Sequence, residues 1–84
     1  MQMEIYGTSQ QTIHIQLMAA LGKYEPPQGM LTITSGDTVL DVIRRLGINA
    51  ELVQMAFADG KFISFDTALD NTRRLLLLPA IGGG

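Results

Sequence analysis

Three consecutive glycines, Gly82-Gly83-Gly84, follow Pro79-Ala80-Ile81 at the end of the sequence, and the chemistry they offer is that of an α-carboxylate. Glycine loses more backbone freedom on ordering than any other residue and has no side chain to bury, so the run contributes nothing to a core. It leaves the Gly84 carboxylate unhindered. Without Cβ atoms, an extended tail can pass through a narrow channel into the active site of another protein. A carboxylate is a poor acyl donor, and adenylation would give it a good leaving group. A frayed end or a cloning remnant would explain the same glycines without any chemistry.

The other reactive groups have structural explanations. His14 is the only histidine. It lies between Ile13 and Ile15 in an alternating pattern and reads as a solvent-facing strand residue, because a catalytic base needs partners placed around it. Asp37, Asp41, Asp59, Asp66 and Asp70 fall where caps, turns and polar faces are expected, with no spacing that suggests metal ligands. Cysteine is absent, which removes disulfides, thiolate metal sites and a cysteine nucleophile together. The glycines match neither a dinucleotide fingerprint nor a phosphate loop. The chain is therefore expected not to be an enzyme and to bind no metal or cofactor of its own.

The elements that must carry the tail can be read from the pattern. Ile13, Ile15 and Leu17 alternate with His14 and Gln16, as in a half-buried strand, which runs on into Met18-Ala19-Ala20-Leu21. Gly22 to Gly29, with paired prolines, is a loop. A second strand follows at Met30 to Thr34. Thr38 is a helix N-cap with Asp41 three residues on, a capping-box spacing. Val39, Val42, Ile43 and Leu46 share one helix face. Arg44 and Arg45 suit the negative end of the helix dipole, and Gly47 supplies a left-handed terminus. A third strand is expected from Val53 to Ala58 with Val53, Met55 and Phe57 on one face. Asp59-Gly60 predicts a type I′ turn into a fourth strand, Lys61 to Phe65. After a loop at Thr67 to Thr72, the last strand is Arg74 to Leu78, stopped at Pro79. One helix cannot bury its stripe alone and must cover one face of a sheet. The order predicts an α+β β-grasp, ubiquitin-like: a mixed sheet of four to five strands, one main helix, the first and last strands parallel in the middle, and a flexible tail at 80–84. Residues 1–12 read as an arm, an added edge strand or a disordered end, and 13–79 as the domain.

Within Leu75-Leu76-Leu77-Leu78, alternate leucines face opposite sides. A chain of 84 residues is too short to cover both faces, so one pair is expected to want a partner; a strand buried on both sides is the competing reading. The net charge of −2 argues against nucleic acid, whose binders cluster Lys and Arg. No segment reaches the roughly 18 apolar residues of a membrane span, and Met1 to Gln11 has no Lys or Arg to open a signal peptide. A cytoplasmic location is expected, without membrane partners.

The sequence resembles the ThiS/MoaD family of ubiquitin-like sulfur carriers over roughly Ile13 to Gly84. The resemblance rests on Asp37-Thr38-Val39-Leu40-Asp41-Val42-Ile43 leading to Leu46-Gly47-Ile48, on Ala58-Asp59-Gly60-Lys61, on Thr67-Ala68-Leu69, and on Leu76 to Gly84, in that order. It implies a carrier that consumes ATP through a partner activating enzyme of the ubiquitin-activating type, which adenylates the Gly84 carboxylate. A sulfur donor would displace AMP to leave a thiocarboxylate, for a sulfur-accepting biosynthetic enzyme of the molybdopterin, tungstopterin or thiamine thiazole routes. Gly82 and Gly83 would be the reach of the tail inside the partner, and Leu76, Leu78, Pro79 and Ile81 its docking surface. Two features depart from the family pattern: Asn71-Thr72 stands where a Gly-Asp pair is usual, and residues 1–12 precede the usual start. A protein modifier forming isopeptide bonds, and a β-grasp interaction module whose glycines are never activated, are the alternative readings.

Overall fold

A computed structural model describes residues 9–81; Gly82, Gly83 and Gly84, and residues 1–8 of the arm, lie outside them. Five strands and one α-helix follow in the order β1 (Gln10–Leu17), β2 (Met30–Thr34), α1 (Val39–Arg45), β3 (Val53–Ala58), β4 (Lys61–Ile63) and β5 (Arg74–Pro79). They form a single mixed sheet ordered β2-β1-β5-β3-β4. β1 and β5 are parallel, with Ile15 opposite Leu75 and Leu17 opposite Leu77, and every other pairing is antiparallel. This is the β-grasp.

The helix is built by its ends. The Thr38 hydroxyl accepts from the Asp41 amide, and the Asp41 carboxylate accepts from the Thr38 amide, closing a capping box. At the other end Gly47 adopts φ 80°. There the Gly47 amide donates to the Arg44 carbonyl and the Ile48 amide to the Ile43 carbonyl, a Schellman motif that satisfies carbonyls the helix leaves open. Between these ends Val39, Val42 and Ile43 are fully buried, with Leu46 packed beside them. They meet Ile13, Ile15, Ile33, Ala56, Leu75 and Leu77 from the sheet. Thr38→Ala should lower unfolding free energy by about 1 kcal/mol, read as a lower midpoint in urea with an unchanged slope.

The Asp59-Gly60 turn has positive φ at both residues, 50° and 87°, as type I′ requires. Asn71 takes φ 68°, so the residue in place of the family's usual glycine adopts the left-handed geometry. Gln11 clamps this turn: its side-chain amide donates to the Thr72 carbonyl at 2.8 Å, and its oxygen accepts from the Asn71 amide at 3.1 Å.

Four sequence expectations need correcting. β1 starts at Gln10, not Ile13, because Gln10, Gln11 and Thr12 pair with Thr34, Ile33 and Thr32, a partnership invisible in a polar run. β1 also ends at Leu17 instead of running through Leu21. Ala19 has φ 51° and opens a 3₁₀ segment, Ala19–Tyr24, which drives Leu21 into the core. β4 is shorter than expected, ending at Ile63 before the Ser64–Thr67 turn. Finally, Val53 does not share a face with Met55 and Phe57. The β3–β5 register shifts between Val53 and Met55, so Val53 and Ala56 are buried while Met55 is exposed and Phe57 half-buried. An extra residue at a bulge reverses the parity of all that follows.

Asp70 ties two loops together, and Asp41 ties the first turn of α1 to its N-cap. The Gly36 amide and Ser35 hydroxyl donate to Asp70 at 2.9 and 2.8 Å and hold its carboxyl below the usual carboxylate range. Asp41 is lowered likewise by the Thr38 amide and hydroxyl. A depressed folded-state pKa contributes stability above the unfolded value, near 3.8, that disappears as pH falls through the folded value. Melting temperature should therefore drop as pH is lowered from about 5 to about 2, and Asp70→Asn should flatten that slope. An unchanged slope in the variant would contradict the assignment.

Candidate functional site

Alternation along β5 divides its leucines. Leu75 and Leu77 are fully buried against the helix, whereas Leu76 and Leu78 are half-buried on the opposite face. The register then shows what stands beside them. Met18, one step beyond the Leu17–Leu77 pair, keeps extended backbone and accepts at its sulfur from Gln16 Nε2. Met18, Leu78 and Met55 thus form one row, and Gln16, Leu76, Phe57 and Phe62 the next. Phe57 and Phe62 meet edge-on, centroids 5.8 Å apart, yet Phe62 remains 63% exposed. The third row carries His14 and Arg74. Of these residues Gln16, Leu76, Leu78, Phe57 and Arg74 line a groove of about 710 Å³, with Asp59, Gly60 and Arg73 beside Arg74 at the end away from Leu78.

The sequence-predicted site residues fall on either side of the tail root. Pro79 is the last ladder residue, opposite Val53. The Ala80 amide donates to the Leu52 carbonyl at 2.8 Å, holding the chain to β3 for one further residue. Ile81 is 88% exposed. Gly82, Gly83 and Gly84 lie outside the described residues, so their reach is fixed only by chain geometry: three residues extend at most about 11 Å beyond Ile81.

Met18, Met55, Phe57 and Phe62 were not singled out by the sequence reading. Met18 continues the parity of His14 and Gln16, a signal that was present. Met55 and Phe57 share a face as their spacing predicts, but Val53 is not on it, because the bulge leaves no mark in the residue pattern. His14 faces the groove side with its Nδ1 buried and unpartnered. Among the described residues no group of three His, Asp or Glu side chains is placed to hold a metal, and no helix is long and apolar enough to cross a membrane.

What decides the family is a match running through helix, sheet and glycine tail together: the model of the ThiS family matches residues 15–84. The chain belongs to the ThiS family. Neither the curated proteins nor the solved structures yield a significant match. ThiS family proteins are ubiquitin-like sulfur carriers, which work with an adenylating enzyme and with sulfur-handling enzymes. Membership in the ThiS family fits a domain whose described residues display an apolar groove beside the root of the tail. A carrier supplies the group to be modified, and its partners supply the chemistry.

Proposed function

We propose that this ThiS family chain carries sulfur as a thiocarboxylate on Gly84, for transfer into a cofactor under construction: the dithiolene of molybdopterin or tungstopterin, or the thiazole of thiamine. The observation that carries this reading is the family match continuing through Gly84, beyond a strand that leaves its last ladder contact at Pro79. The Gly84 carboxylate attacks the α-phosphate of ATP in the active site of a ubiquitin-activating-type enzyme, and pyrophosphate leaves. Hydrosulfide, or the outer sulfur of a protein persulfide, attacks the acyl carbonyl, and AMP leaves. With a persulfide, a second thiol then cleaves the S–S bond and frees the thiocarboxylate. The chain itself is no catalyst in this scheme and binds no cofactor; the ATP is bound and consumed by the partner, and the work is done in the cytoplasm.

The groove supports the same reading. A face of Leu76, Leu78, Phe57 and Met55 that the helix cannot reach gives a partner an apolar seat, and Pro79 and Ile81 mark where the tail departs from it. Docking there would deliver Gly82 and Gly83 into the partner's channel with no further search.

The test is to incubate the chain with ATP, sulfide and the activating enzyme encoded in the same genome, and to weigh the product. Exchange of one terminal oxygen for sulfur supports the carrier. Adducts on lysines of other proteins instead identify a protein modifier. No pyrophosphate release with any activating enzyme of that genome sinks both, and leaves an interaction module.

A further inference from the structure

The groove is graded along β5, and the gradient has a direction. Leu78 lines it nearest the tail, Leu76, Phe57 and Gln16 line its middle, and Arg73 and Arg74 line its distal end with Asp59 and Gly60. Leu78 and Arg74 are four strand residues apart, about 13 Å. The cations at that end are uncommitted among the described residues. Asp59, their obvious counter-ion, spends its carboxylate on backbone: it accepts from the Arg73 and Arg74 amides at 2.9–3.2 Å. Among the described residues the one ion pair is Arg45 with Asp37 at 3.8 Å, and Lys23 sits over the Tyr24 ring. In a chain with net charge −2, Arg73 and Arg74 outnumber Asp59 at one end of an apolar groove, a local excess of positive charge. A polyanion is a poor occupant, since the overall charge repels it and the floor is apolar. A protein surface with an apolar ridge and carboxylates at one end fits both features.

We propose that the enzyme which activates the tail carries acidic side chains at least about 13 Å from the mouth of its tail channel, and that Arg73 and Arg74 meet them. The proposal rests on the carrier reading and adds to it the polarity of the docked complex. Apolar rows alone would allow the carrier to seat in either direction along the ridge. Opposite charges at the distal end admit only the pose that points Ile81 toward the channel, and like charges penalise the reverse. Arg73 and Arg74 are positioning residues here; they touch neither the nucleotide nor the acyl carbon.

The experiment measures pyrophosphate release by that activating enzyme with the full chain, against carrier concentration, at low and high salt. Arg73→Glu combined with Arg74→Glu should raise KM roughly tenfold, as expected for lost steering, with kcat within about twofold of the parent. The parent's KM should rise with salt and the variant's should not. An unchanged KM, or a loss confined to kcat, overturns the proposal. If the double Glu variant melts below the assay temperature, Arg73→Gln with Arg74→Gln is measured instead, and should show a smaller rise in KM with the same loss of salt dependence. If the parent chain releases no pyrophosphate, the carrier reading fails and takes this proposal with it. If the parent is active and the variants match it, only the docking polarity fails.

Discussion

Deleting Gly84 should reduce thiocarboxylate formation by at least about a hundredfold while leaving the melting temperature unchanged. The shortened chain still ends in a glycine carboxylate, so the chemistry of the group is preserved and only its position changes, by about 3.5 Å. A nucleophile and its target must approach to within about 3.5 Å in good alignment, and a misplacement of even about 1 Å can cost two orders of magnitude. With the carrier docked through Leu76 and Leu78 as proposed, it cannot recover the lost length by moving forward, because the ladder contact of Pro79 with Val53 fixes where the tail begins. Stability should be indifferent, since the core is complete at Leu77 and the last described backbone bond joins Ala80 to Leu52. Mass spectrometry after reaction with ATP, sulfide and the activating enzyme reads loading, and circular dichroism reads melting. Loading at the parental rate would show that the Gly84 carboxylate is not the reacting group. A large drop in melting temperature would show that the end of the chain belongs to the fold.

The second large effect separates neighbours in β5. Leu77→Ala should cost about 2–5 kcal/mol of stability, the range for emptying a fully buried leucine site. Leu77 is wholly buried, opposite Leu17 on one side and Ala56 on the other, so little can collapse into the space. A domain of this size has roughly 4–12 kcal/mol in total, and the variant should be partly unfolded at physiological temperature. Leu76→Ser, one residue away, should cost about 1 kcal/mol or less of stability. Its effect should appear in the activation reaction instead, with KM raised more than about tenfold, as for a residue at the centre of a docking patch. Urea unfolding and pyrophosphate release, measured on both variants, give the crossed result. If Leu76→Ser reacts with an unchanged KM, the uncovered face is not the seat of the activating enzyme.

That crossing also marks the boundary between local and non-local information. The amino-acid sequence by itself determined the helix, since the Thr38–Asp41 box and Gly47 act through bonds that span no more than five residues. It determined the Asp59-Gly60 turn, because only certain residues tolerate two successive positive φ values. It determined that alternate leucines of β5 oppose each other, because strand parity is a property of the backbone. It also placed the glycines two residues after a strand that proline ends, where the proposed function puts the chemistry.

The tertiary structure alone decided what stands beside Leu76 and Leu78 on the face away from the helix. A bulge between Val53 and Met55 is a property of the β3–β5 register, and a register is a relation between segments distant in the sequence. It turned Met55 and Phe57 away from the core and made the uncovered apolar face wider than two leucines. The polar start of β1 at Gln10 depends in the same way on β2. So does the status of Arg73 and Arg74: their sequence shows a basic pair, and only the fold shows that Asp59 engages their amides and leaves the guanidiniums at the end of an apolar groove.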